Sequence, residues 1–280
     1  MTFTTRFAPS PTGPLHLGHA YSALLAFDLA QAAGGTFLLR IEDIDRSRAR
    51  PEWEAQITDD LRWLGLDWPH PVMRQSDRQA AYDAALDRLW AAGMLYPCTC
   101  TRRDIAAAAS APQEGAPLLG PDGVIYPGTC RGADRNGLRP RDAVLRLDMA
   151  RACTTALTFT EEGVGQTGQI TTMPAQMIAE VGDIVLARRE MGTSYHLSVT
   201  LDDAAQGITH VVRGLDLFEA TAIHVLLQRL LDLPTPRYHH HRLTRDEHGK
   251  RLAKRDDARA IALYRDAGET PQDIRARVGL

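Results

Sequence analysis

Two histidines at the opening of a helix, two lysines near the far end of the chain and a knot of cysteines are the residues whose types and spacing could do chemistry. The first group lies in Arg6-Phe-Ala-Pro-Ser-Pro-Thr-Gly-Pro-Leu-His-Leu-Gly-His19. Prolines stiffen this turn, and Gly13 and Gly18 let backbone approach a ligand where the first N–H groups of the following helix point outward. His16 and His19, three apart, share a helical face, and helix dipole and imidazoles together suit a polyphosphate. Near the other end, Gly249-Lys250 leads into Arg251-Leu-Ala-Lys-Arg255, a polar, cation-bearing loop that could close over a triphosphate and offset the charge of a departing pyrophosphate. Cys98, Cys100 and Cys130 could supply three thiolates to a tetrahedral metal, which then needs a fourth donor; no histidine lies between His70 and His196.

The elements that must position these groups follow from periodicity. Residues 2–7 alternate as a strand, residues 17–32 have helical apolar spacing, and residues 37–41 read as a buried strand, a β-loop-α-β unit of the parallel-sheet kind. Residues 51–64 and 77–92 are predicted helices, the first with Pro51 in its opening turn. From 98 to 141 the periodicity fails, and alternation returns at 143–149 and 183–188 with turn-rich sequence between. A helix at 195–205, a strand at 208–212 and a helix at 217–231 resume the α/β order. The expected organisation is a catalytic half at 1–94, an inserted subdomain at 95–182, a second catalytic half at 183–242, and a loop with a short helical tail at 243–280.

Composition sets the limits. With 44% hydrophobic and 24% charged residues the chain is an ordinary globular protein, which excludes disordered and fibrous classes. A net charge of −3 gives no global basic field, so a nucleic-acid partner would need a local arginine patch. Of 32 cationic residues only Lys250 and Lys254 are lysine, both in the polar loop. No apolar run reaches the roughly 18 residues of a membrane span, and a cytoplasmic protein without membrane partner is expected.

These segments resemble the class I aminoacyl-tRNA synthetases, whose HIGH signature is matched at 16–19 and whose KMSKS loop is matched at 251–255, in the glutamate-type form KLSKR with Arg251 and Ala253 as departures. Arg-Ile-Glu-Asp-Ile-Asp at 40–45, the Tyr195-His-Leu stretch and Gly-Ile-Thr-His-Val-Val-Arg-Gly at 207–214 are similar to the glutamyl-tRNA synthetase catalytic domain. The resemblance implies an α/β fold with a Rossmann-like parallel sheet, ATP with Mg²⁺, and L-glutamate as substrate. It places Pro9, His16, Gly18, His19, Arg251 and Lys254 at ATP, with His16, His19 and Lys254 in catalysis. It also places Arg6, Ser10, Glu42, Tyr195 and Arg213 at glutamate, with Arg213 or Arg6 on the side-chain carboxylate. The spacing CxC then YxxxC resembles a structural zinc site in one branch of the family, with Tyr126 as fourth donor beside Cys98, Cys100 and Cys130.

Only 25 residues, 256–280, follow the KMSKS-like loop, so no anticodon-binding domain is expected. That feature resembles a truncated branch of the family, a monomer that joins glutamate to queuosine in the anticodon loop of tRNA(Asp) after tRNA-independent activation. Two other readings stay open: an enzyme charging a tRNA 3′ end with an anticodon-binding partner in trans, and a non-catalytic regulator. Blander expectations are a solvated cluster at His239-His-His241, core packing by Trp53 and Trp63, and a network of Asp43, Asp45 and Arg46 that orients Glu42.

Overall fold

In a computed structural model, residues 2–109, 119–243 and 259–280 are described. The chain opens with β1 (Thr4–Phe7), α1 (Leu17–Ala32), β2 (Thr36–Ile41), α2 (Pro51–Trp63), β3 (Met73–Arg74) and α3 (Gln79–Ala91). A middle section follows: β4 (Leu95–Cys98), α4 (Arg102–Ala109), β5 (Leu119–Gly120), β6 (Gly123–Val124), β7 (Val144–Leu147), α5 (Met149–Ala152), β8 (Leu157–Glu161), β9 (Gly168–Thr172), α6 (Pro174–Gln176) and β10 (Val185–Ala187). The chain then continues through α7 (Tyr195–Ala205), β11 (His210–Gly214), α8 (Thr221–Leu230) and β12 (Arg237–His241) to α9 (Ile261–Asp266) and α10 (Pro271–Val278).

The central layer is parallel. β1 pairs with β2 and β2 with β3, while β11 pairs with β12 and β12 with β8, all parallel; β9 closes the far edge antiparallel to β8. The two halves meet where the Thr209 N–H donates to the Thr4 carbonyl at 3.0 Å. Strand order therefore reverses between β1 and β11, and open α/β sheets bind ligands at such a switch point, beyond the carboxyl ends of the strands. A smaller antiparallel sheet, β10-β7-β4, packs Leu95, Leu145, Leu147 and Leu186 into the core formed with α3, α7 and α8.

Local sequence explains the pieces that hold the switch point. α1 buries Ala20, Ala23, Leu24, Ala26 and Ala30, small enough for the helix to lie close on β1. It ends where Gly34 takes φ 61°, a left-handed conformation that glycine enters without steric cost. α10 covers α1 from outside through Ile274 and Val278, and Arg275 grips Asp28 with two hydrogen bonds at 2.7 and 2.9 Å. Two further joins bring this C-terminal segment to the start of α1: Ile261 N–H donates to the Leu15 carbonyl at 2.8 Å, and Ala260 forms an isolated bridge with His16.

The structure departs from expectation in three places. The stretch 149–182, read as turn-rich and placed in the 95–182 insertion, contains β8 and β9, which extend the sheet of β11 and β12. Leu157-Thr-Phe-Thr-Glu161 buries alternate residues Leu157, Phe159 and Glu161, with exposed Thr158 and half-buried Thr160 diluting its apolar signal. His239-His-His241 is not a solvated cluster: β12 runs between β11 and β8, and His240 and His241 are 0% and 4% exposed. Glu42 is not oriented by Asp43, Asp45 and Arg46. Asp43 instead accepts from Ser76 N–H, Asp45 pairs with Arg48, and Arg40 holds Glu42 at 3.1 Å.

Candidate active site

A cavity of about 390 Å³ sits beyond the carboxyl ends of β1, β2, β11 and β12, at the switch point. Arg6, His16, Gly18, His19, Glu42, Tyr195 and Arg213 all line it, so one cavity gathers most of the residues expected at ATP and at the amino acid. Pro9 and Ser10 lie outside the lining. Pro9 is buried and its carbonyl accepts the Glu42 N–H at 3.0 Å, tying the first loop to the end of β2, whereas Ser10 is exposed. Lys250, Arg251, Ala253 and Lys254 lie outside the described residues; on the described flanks of their segment, Leu243 lines the cavity and Ala260 bridges His16.

The opening of α1 builds the histidine pair. His16 is the N-cap: its Nδ1 accepts from Gly18 N–H at 3.1 Å, and His19 Nδ1 reaches back to accept from His16 N–H at 3.2 Å. This reciprocal cap stabilises the first turn and leaves the neutral rings with their protons on Nε2. The rings lie 3.8 Å apart between centroids.

The amino-acid side of the cavity is a ladder of charges. Asp203, at the end of α7, accepts from Arg6 Nε at 2.9 Å and from Arg40 Nη1 at 2.7 Å, and Arg40 Nη2 in turn donates to Glu42 at 3.1 Å. Burial opposes ionisation of Asp203, yet Arg6 and Arg40 together hold its carboxyl below the usual value. Burial pushes the Glu42 carboxyl up despite Arg40 beside it. A cation arriving at Glu42 would therefore favour its charged form. Two guanidinia and two carboxylates leave this ladder neutral.

Arg213 differs. It is 6% exposed, and its donors go to neutral acceptors: His240 Nε2 and His224 Nδ1 at 3.0 Å each, the Leu217 carbonyl at 3.1 Å and the Thr221 hydroxyl at 2.7 Å. Among the described residues no carboxylate contacts this guanidinium. A buried charge with no counter-charge is costly, so the cavity beside Arg213 is fit for an anion. His240 in turn donates from Nδ1 to the buried Glu161 at 2.5 Å. Gly163 is a position where close approach excludes a side chain, because a Cβ there would collide with the His240 backbone and the Glu161 carboxylate.

Cys98, Cys100 and Cys130 form a separate cluster, their Sγ atoms all within 4.8 Å of one another. The Tyr126 hydroxyl lies 3.5 Å from Cys98 Sγ and 3.3 Å from Cys100 Sγ. Its hydrogen bond to Cys130 pulls that thiol down to about 6. Arg146 donates to Cys98 Sγ at 3.4 Å and lies over the Tyr126 ring at 3.8 Å. The donor set therefore fits a tetrahedral metal, and the Cys₃ cluster could bind one.

Residues 2–280 match the family model described as tRNA synthetases class I (E and Q), catalytic domain. The chain belongs to this family. It is 66% identical over 278 residues to a glutamyl-Q tRNA(Asp) synthetase of Rhodobacter capsulatus, covering 99% of each chain. The glutamyl-Q tRNA(Asp) synthetase of Symbiobacterium thermophilum is 43% identical over 277 residues, covering 96% of this chain and 83% of the relative. Among solved structures, a glutamate tRNA ligase of Elizabethkingia meningosepticum in complex with its amino acid matches with TM-score 0.76 at 25% identity, covering all of this chain and 61% of that one. This class I synthetase chain thus spans about three-fifths of the length of that ligase.

Sequence reasoning missed Arg40, Asp203, His224, His240 and Glu161. Each acts behind the cavity wall, through a partner distant in sequence. Asp203 closes the segment Ser194–Asp203, and its neighbour Asp202 is bound instead by Gln75, Arg78 and Tyr82. Two adjacent acids at a helix end, facing different arginines, carry no signal that separates them in a single sequence.

Proposed function

We infer that this class I synthetase activates L-glutamate with ATP, without tRNA, and transfers the glutamyl group to the queuosine base in the anticodon loop of tRNA(Asp). The observation that carries the amino-acid assignment is Arg213, a buried guanidinium hydrogen-bonded to neutral groups at the cavity wall. The glutamate side-chain carboxylate supplies the missing counter-charge, and charge-assisted contacts of this kind discriminate strongly. The amide of glutamine would leave the guanidinium uncompensated. Glu42 receives the α-ammonium, and Arg6 and Tyr195 flank the α-carbon.

In the first step an α-carboxylate oxygen of glutamate attacks the α-phosphorus of ATP, forming glutamyl-adenylate as pyrophosphate departs. His16 and His19, at the positive end of α1, contact the phosphates through their Nε2 hydrogens, with Pro9 and Gly18 shaping the loop. Lys254 neutralises the leaving pyrophosphate and Arg251 assists it; the flanks, Leu243 in the cavity lining and Ala260 bridged to His16, support that reading. Mg²⁺ carried with ATP would screen the phosphate charge. In the second step a cyclopentenediol hydroxyl of queuosine attacks the acyl carbon, and AMP leaves. Exposed Arg102, Arg103, Arg188 and Arg189 are phosphate contacts for the tRNA. Cys98, Cys100, Cys130 and Tyr126 hold a structural Zn²⁺ with no role in the chemical steps.

Glutamate-dependent exchange of labelled pyrophosphate into ATP, with no tRNA present, tests the first step. Exchange with glutamate and none with equimolar glutamine is the expected outcome. No exchange with glutamate, or equal exchange with glutamine, contradicts the assignment.

A further inference from the structure

Arg213 has five N–H groups, and the protein takes four of them through Nε, one Nη1 hydrogen and both Nη2 hydrogens. Because a guanidinium only donates, each imidazole nitrogen that faces it must present a lone pair. On the His224 side this requirement propagates. His224 accepts at Nδ1, so its proton lies on Nε2, which is 3.1 Å from His196 Nδ1. His196 must then accept at Nδ1 and carry its own proton on Nε2, 3.2 Å from Asp122 Oδ1. A carboxylate only accepts, so the series ends there.

Between a pure donor and a pure acceptor, two imidazoles have one state that satisfies all three hydrogen bonds: both neutral, both protonated at Nε2. The surroundings of His224 favour it. His196 and His224 are 6% and 3% exposed, and burial, with Arg213 beside it, holds His224 well below the usual histidine value. The same two rings buttress Tyr195, whose ring meets them edge-on at 5.4 and 5.9 Å. Two residues of the glutamate cavity therefore rest on one histidine pair.

The far end of the series is not on the catalytic sheet. Asp122 sits in the turn between β5 and β6, in the middle section, with its side chain 34% exposed. We propose that Asp122, His196 and His224 are a positioning relay that aims Arg213 at the substrate's side-chain carboxylate and buttresses Tyr195, making the β5–β6 hairpin a working part of the amino-acid site. The relay orients Arg213 through neutral acceptors and keeps its terminal carboxylate two rings away, so the guanidinium charge remains for the ligand. A carboxylate placed directly on Arg213 would hold it equally well and cancel that charge. The inference rests on the reading that Arg213 receives the glutamate side chain.

The test is steady-state pyrophosphate exchange with Asp122→Ala, Asp122→Asn, His224→Leu and Arg213→Leu. Asp122→Ala, at a half-exposed turn, should raise the glutamate KM about tenfold, equivalent to about 1.4 kcal/mol, with kcat and the ATP KM within about twofold. Asp122→Asn, whose Oδ1 still accepts from His196, should return the glutamate KM to within about threefold of the parent, and His224→Leu should exceed the Asp122→Ala effect. A glutamate KM unmoved by Asp122→Ala, a failure of Asn to rescue, or a parallel rise in the ATP KM overturns the relay. If Arg213→Leu raises the glutamate KM and Asp122→Ala does not, the relay alone is wrong. If Arg213→Leu leaves that KM unchanged, the reading of Arg213 fails and the relay with it.

Discussion

Replacing Asp203 by Asn should break the ladder that fixes Arg6 and Glu42. The side chain lies between two guanidinia, accepting from Arg6 Nε at 2.9 Å and Nη2 at 3.4 Å and from Arg40 Nη1 at 2.7 Å. An amide keeps one acceptor oxygen but presents an NH₂ to a second donor and leaves three charges where four had cancelled. Removing one partner of a buried ion pair costs about 3–5 kcal/mol, and the retained oxygen puts this case near 3. Against a typical domain stability of about 5–15 kcal/mol, the variant should still fold. Urea unfolding followed by tryptophan fluorescence reads the loss directly. The pH dependence is specific. The folded-state pKa of Asp203 is depressed, so its stabilisation is fully present above the unfolded carboxyl value of about 4 and is lost as pH falls through the lower folded value. The gap between parent and variant should be full at neutral pH and close in acid. A loss under about 1 kcal/mol at neutral pH, or a gap that widens on acidification, refutes the ladder as described.

Three further outcomes follow from other sites. Asp60 is fully buried with neither carboxylate oxygen hydrogen-bonded, and burial raises its pKa to about 6. Its folded pKa lies above the unfolded one, so ionisation destabilises the fold as pH rises through about 6; Asp60→Asn should raise the melting temperature at pH 7 by more than at pH 5, and an equal change at both is the contrary result. Cys100→Ser should lose most of the zinc measured in parent protein purified without chelator, and unchanged metal content counts against a four-donor site. Lys254→Ala should lower the exchange rate by orders of magnitude with an unchanged melting temperature, and near-parental exchange removes the role given to that lysine.

Much of this molecule is written locally. Residues 17–32 are predicted as a helix from uninterrupted apolar spacing and residues 195–205 as a second helix, and both occupy those bounds, because packing on the sheet agrees with the local period. The strand read at 208–212 lies at His210–Gly214, shifted by the turn at Gly207, whose φ of 64° ends α7 before the chain enters the sheet. The HxGH group was legible because its capping geometry is itself local, within three residues. What stayed hidden depends on long-range partners. Three successive histidines look solvated until Glu161, 79 positions away, accepts from His240 and Arg213 donates to it. Arg40 and Asp203 are ordinary surface types individually, and only the sheet brings them to 2.7 Å.

The account is tested most directly by offering labelled glutamate and ATP together with purified tRNA(Asp) that either carries or lacks queuosine. It predicts label in the queuosine-bearing tRNA alone, located in the anticodon loop after nuclease digestion. Label on tRNA lacking queuosine, or at a tRNA 3′ end, would contradict it.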